Sequence, residues 1–152
     1  MSSEEPFFTY ADDPELSGWK RWELRDPTRF NAFLGPLLTR MEGEKALVRM
    51  VPQRQHSNLQ ESTHGGALLG FMDAALFAAA RTFGLLTAGR AVTLDLSAQF
   101  ISTSIIGDPI VAEVELLRET GRMLFMRGLV TQHGNVLASF SGTVRKSSPP
   151  RA

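Results

Sequence analysis

The sequence contains no cysteine, which removes disulfides, a thiol nucleophile, thiol redox chemistry and Cys-ligated metals together. That absence fits a reducing compartment, and a cytoplasmic location is expected. Charge of one sign is missing too: 16 Lys+Arg stand against 16 Asp+Glu. There is accordingly no basic field to attract nucleic acid and no polybasic segment for an anionic membrane. The start, Met1 to Pro6, carries Glu4 and Glu5 instead of the basic residues and apolar core of a secretory signal. The most apolar run, Ala67 to Ala80, falls short of the roughly 20 residues that a membrane-spanning helix needs, and it contains Asp73. No repeat is visible, and 152 residues with 43% hydrophobic content, ten of them Phe, amount to one globular domain.

Residues 1–25 mix Pro6, Pro14 and Gly18 with Phe7, Phe8, Tyr10, Trp19 and Trp22, the mark of an N-terminal extension laid against the body. A domain is expected over 26–146, followed by a frayed tail at 147–152 that holds Ser147, Ser148, Pro149 and Pro150. Asp26-Pro27-Thr28 opens a short helix that Gly35-Pro36 ends. Leu37 to Met41 and Ala46 to Val51, separated by Glu42 to Lys45, form a hairpin. A polar, turn-rich stretch leads to His64-Gly65-Gly66 and the apolar helix, which stops near Gly84.

Beyond the helix, Val92, Leu94, Leu96, Ala98 and Phe100 alternate with Thr93, Asp95, Ser97 and Gln99. The period of two predicts a strand with one buried face. Two further strands, Ile110 to Leu117 and Arg122 to Gln132, and a last one lined by Val136, Ala138, Phe140 and Val144, complete an antiparallel meander. One apolar helix wrapped by five to six antiparallel strands is an α+β domain.

Asp73 is the most informative residue, because its helical neighbours Leu69, Gly70, Leu76 and Phe77 are apolar. A carboxylate on such a surface needs a partner or a use. The structural alternative is a pair with a buried donor such as an Arg, or a polar gap between subunits. Gly65 and Gly66 at the helix start expose backbone N–H groups where the helix dipole is positive, a setting for a carbonyl oxygen or oxyanion. Their plainer role is a tight turn, with Thr63 or Ser62 as the cap. His64 alone is more often a hydrogen-bonded structural residue than a base, Asn58 a turn residue, and Thr93 an exposed or cross-strand residue.

Taken together, Asn58, His64-Gly65-Gly66 and Asp73 on an apolar helix resemble the hotdog-fold acyl-CoA thioesterases, specifically the phenylacetate-pathway type. The resemblance covers about Asn31 to Val144. It implies that Asp73 is general base or nucleophile, that the Gly65 N–H polarises the thioester oxygen, that Gly66 binds the substrate beside it, and that Asn58 lies near that carbonyl or fixes the water. It also implies that Thr93 orients the water and that His64 is structural or touches the thioester sulfur. No metal or resident cofactor is implied, coenzyme A being part of an acyl-CoA or aryl-CoA substrate. The site is expected between two subunits of a homodimer, often paired again to a tetramer, without nucleic acid or membrane partners. Charged Glu61 and the N-terminal extension depart from the family core. Arg90, Arg118, Arg122, Arg145 and Lys146 are candidate coenzyme A contacts, being basic and near strand ends. A non-catalytic acyl-CoA-binding module and a hotdog enoyl or hydroxyacyl thioester hydratase are the alternatives.

Overall fold

A computed structural model describes residues 7–86 and 91–146. Arg90, the tail at 147–152 and the first six residues of the extension lie outside the described residues. The elements, in chain order, are β1 Phe8–Asp12, β2 Lys20–Leu24, α1 Phe30–Phe33, β3 Leu37–Glu42, β4 Lys45–Met50, α2 Gly65–Thr82, β5 Val92–Phe100, β6 Ile110–Glu119, β7 Met123–Gln132 and β8 Asn135–Arg145. All eight strands join one antiparallel sheet in the order β1-β2-β3-β4-β6-β7-β8-β5. This is the hotdog arrangement, with more strands than the five to six expected. The excess comes from β1 and β2, which continue the sheet beyond β3.

The helix is where the apolar run predicts it. Its buried side includes Ala74, Ala75, Ala78, Ala79 and Ala80, and side chains this small let the sheet close around the helix, while Phe71, Met72 and Leu76 fill the space between. Close approach also explains Gly142 on β8, where an added Cβ would collide with Leu76 Cδ1. Phe71 is wholly buried. Phe71→Ala is therefore expected to cost about 3–5 kcal/mol through lost burial and the cavity left behind. The check is a lower urea midpoint at unchanged slope. Among the described residues, no helix is long and apolar enough to cross a membrane.

The last four strands are not a simple meander. β6, β7 and β8 follow one another, but β5 pairs with β8 at the sheet edge, and β4 takes the place beside β6. The expected single buried face of β5 is also overturned. The register slips between Thr93, opposite Val144, and Asp95, opposite Thr143, so Leu94 is the extra residue of a bulge. A bulge inverts which side chains face inward. Leu96 and Ala98 pack on the core, whereas Val92 and Leu94 are 40% and 51% exposed, and Thr93 turns toward α2.

Candidate active site

The bulge determines the partner of Asp73. Thr93 donates its hydroxyl to Asp73 Oδ1 at 2.6 Å, and the half-buried carboxylate has no cationic partner among the described residues. The structural alternative of a buried Arg pair is therefore not what the fold uses. With Oδ1 fixed by Thr93, Oδ2 remains to accept a proton. A single hydroxyl donor orients the carboxylate without adding an opposite charge.

The start of α2 is built from several short-range bonds. His64 is the N-cap, and its Nδ1 accepts the Gly66 N–H at 2.8 Å. That bond places the ring proton on Nε2 in the neutral form and occupies the Gly66 N–H. Gly65, the first helical residue, keeps an N–H with no intrahelical acceptor, as first-turn donors do. Its nearest non-local neighbour is the Phe100 ring, 3.7 Å from where a Cβ would stand. Between the two glycines, Gly65 is thus the one with a donor to offer.

Ser62 and Thr63, read as caps from the sequence, serve otherwise. The Thr63 N–H donates to Ser104 Oγ at 3.0 Å, and the Ser104 N–H donates to Ser62 Oγ at 3.1 Å. This buried hydroxyl set ties the loop before α2 to the segment after β5. Ser104 was missed by sequence reasoning, because nothing local marks a serine whose partners are 41 and 42 residues away. His56 completes the support. It is buried, accepts the Gln53 N–H at Nδ1 (2.9 Å), and donates from Nε2 to the Phe33 carbonyl (2.7 Å), which anchors α1 beside α2.

Asn58 closes a turn with its Oδ1, which accepts the N–H groups of Gln60 at 2.9 Å and Ser62 at 3.1 Å. Its Nδ2 donors remain, and the residue shares an open cleft with Arg54, Glu61 and His64. Glu61 stands at φ 60°, and its side chain is exposed at the rim of that cleft. Of the candidate coenzyme A contacts, Lys146 is paired with Glu119 at 2.8 Å, and Arg118, Arg122 and Arg145 are exposed. Among the described residues, no cluster of three metal-ligating side chains occurs.

The predicted residues therefore fall into two groups along one helix. Asn58, His64, Gly65 and Gly66 stand at its N-terminus, and Asp73 with Thr93 stands beyond. Gly65 and Asp73 are eight residues apart, which at 1.5 Å per residue is about 12 Å along the axis. One carbonyl group cannot touch both within a single chain.

Known proteins share this architecture. A Thermus thermophilus protein is 27% identical, with a TM-score of 0.63 over 82% of this chain and 100% of that one. The Escherichia coli PaaI protein of the phenylacetic acid degradation operon is 22% identical, with a TM-score of 0.62 over 72% of this chain and 77% of that one. A Streptococcus pneumoniae thioesterase protein solved with coenzyme A is 19% identical, with a TM-score of 0.61 over 70% and 80%. No curated protein matches the chain. The thioesterase superfamily model matches residues 60–139, a span that holds His64, Gly65, Asp73 and Thr93 and more than half of the sequence. The chain belongs to the thioesterase superfamily and is a hotdog-fold thioesterase.

Proposed function

We propose that the protein hydrolyses an acyl-CoA or aryl-CoA to the free acid and coenzyme A, in a homodimer whose two sites each draw on both chains. The observation that carries this reading is the division of the candidate residues into two groups about 12 Å apart on α2. β5 supplies the means of bringing them together. It is the outer edge of the sheet, with Val92, Leu94, Phe100 and the following Ile101 exposed, and an apolar edge with free N–H and C=O groups invites pairing. Symmetric antiparallel pairing of two copies about the middle of β5 sets the start of one strand against the end of the other. The start carries Thr93 and hence Asp73. The end carries Phe100, which lies on Gly65.

In that site Gly65 donates its N–H to the thioester oxygen, and Asn58 Nδ2 lies on the same side. Asp73 of the other chain takes a proton from water as the water oxygen bonds to the carbonyl carbon. The C–S bond then breaks with its electron pair on sulfur, which recovers the proton from Asp73. Thr93 holds Oδ1, which favours a positioned base over a freely rotating nucleophile. His64, as the helix cap, fixes the geometry of Gly65, and Gly66 is spent on that cap. A thiolate leaves readily, so one base and one donor suffice without metal, Ser or Cys.

Thiol release from short, medium, long and aryl acyl-CoAs, measured alongside the mass of the native particle in solution, tests the reading. Turnover by a dimer or a dimer of dimers is expected. A monomer with full activity overturns the shared site, and absence of turnover on every substrate overturns the activity.

A further inference from the structure

The run from Ser62 to Gly66 enters α2 with nearly every backbone donor assigned. The Ser62 N–H goes to Asn58 Oδ1 at 3.1 Å and the Thr63 N–H to Ser104 Oγ at 3.0 Å. The His64 N–H goes to the His56 carbonyl at 2.7 Å and the Gly66 N–H to His64 Nδ1 at 2.8 Å. Among the described residues, Gly65 alone in this run has no acceptor for its N–H. Two successive glycines are also the softest start a helix can have. The direction of the Gly65 N–H is therefore set by whatever holds the residues before it.

Ser104 is the one such partner from outside the loop. Its Oγ accepts the Thr63 N–H and shares a hydrogen bond with Thr63 Oγ1, and its own N–H donates to Ser62 Oγ. All three residues are buried, so a lost bond leaves a polar group without solvent. Ser104 is itself held in a frame. On one side the Ile101 and Ser102 N–H groups donate to the Leu137 carbonyl at 2.8 and 3.1 Å. On the other the Ile105 N–H donates to Oε1 of buried Gln132 at 2.8 Å, and Gln132 Nε2 donates back to the Ile105 carbonyl at 2.9 Å. β7 and β8 thus hold Ser104, and Ser104 holds the entrance to α2. The segment that carries it follows Phe100, the end of edge strand β5, whose ring lies on Gly65.

We infer that Ser104 is a positioning residue for the hydrolysis: it locks Ser62 and Thr63 to the end of β5, so that the Gly65 N–H points at the thioester oxygen and stays in register with the edge that meets the second chain. Ser104 acts through Gly65 and touches no substrate. The inference rests on the proposed reaction and its shared site.

The test is steady-state hydrolysis, on the best substrate of the acyl-CoA panel, by wild type, Ser104→Ala, Ser62→Ala, Gly65→Pro and the Ser104→Ala/Gly65→Pro double variant. Mass in solution and urea midpoint are measured for each. Ser104→Ala is expected to lower kcat about tenfold, less than the loss of about 10²–10³ when a whole donor is removed. KM should stay within about twofold, the sign of an interaction made in the transition state. In the Gly65→Pro background no donor remains to be aimed, and Ser104→Ala should then lower kcat by less than about twofold, whereas a residue that only supports the fold gives the same factor in both backgrounds. Ser62→Ala frees only the Ser104 N–H and should show a smaller loss of the same kind, which keeps the test open if Ser104→Ala does not fold. An unchanged kcat, a change confined to KM, or a Ser104→Ala factor undiminished in the Gly65→Pro background overturns the inference and leaves the thioesterase reading standing. A wild type inactive on every thioester overturns that reading and the inference with it.

Discussion

Asp73→Asn is expected to lower kcat for thioester hydrolysis by about 10³, within the range of 10²–10⁴ for loss of a general base, with KM changed little. The substitution is chosen for its economy. The amide keeps the size of the carboxylate and an oxygen that still accepts the Thr93 hydroxyl, now at 2.6 Å from Oδ1, so the geometry of α2 against β5 is retained. Only the capacity to take a proton is lost. A fall of kcat and kcat/KM together marks an interaction made in the transition state, whereas a rise in KM alone would mark a binding residue. Thr93→Val should show the smaller effect, because the carboxylate survives but swings free. If Asp73→Asn stays within a few-fold of wild type, Asp73 is not the base. A single turnover in heavy-oxygen water bears on the two roles open to the carboxylate: label found in Asp73 itself requires a nucleophile whose anhydride water opens at the Asp73 carbon, and a base never acquires it.

Much of this arrangement can be read before any coordinates. The helix is legible because an apolar run with one carboxylate has few alternatives, and β3, β4, β6, β7 and β8 are legible because alternation and turn residues agree. What is hidden is hidden for physical reasons. The alternation from Val92 to Phe100 reads as an unbroken strand, yet the bulge at Leu94 reverses the inward side, and bulges leave no residue signature when no glycine is needed. Thr93 therefore looks like an outward residue in the sequence and is an inward one in the fold. β1 and β2 are five residues each, too short for periodicity to stand out among Pro14, Gly18 and scattered charges. His64 as the cap escapes because capping preferences point to Ser62 and Thr63, whose hydroxyls are claimed by Ser104. The two-part nature of the site, by contrast, follows from helix rise alone once Gly65 and Asp73 are assigned.

That two-part nature makes a prediction of larger consequence than any single substitution. Gly65→Pro should abolish turnover almost as thoroughly as Asp73→Asn, because proline has no N–H to give the thioester oxygen, and loss of one such donor costs about 10²–10³ in kcat. The helix should survive it. Gly65 is the first helical residue, where proline is tolerated since that N–H has no intrahelical acceptor, and only the Phe100 ring, at 3.7 Å, would meet the new Cβ. Neither variant alone has an intact site. Mixed and allowed to exchange subunits, they should recover activity, because in each hybrid dimer the Gly65 of the Asp73→Asn chain faces the Asp73 of the Gly65→Pro chain. The second site of the hybrid carries both lesions. With half of the dimers hybrid and one of two sites intact in each, about a quarter of wild-type activity is expected. Denaturing and refolding the variants together, then separately as controls, gives the measurement. Recovery near that level requires that the donor and the base come from different chains, and a mixture no more active than its components places them in the same chain or in no common site.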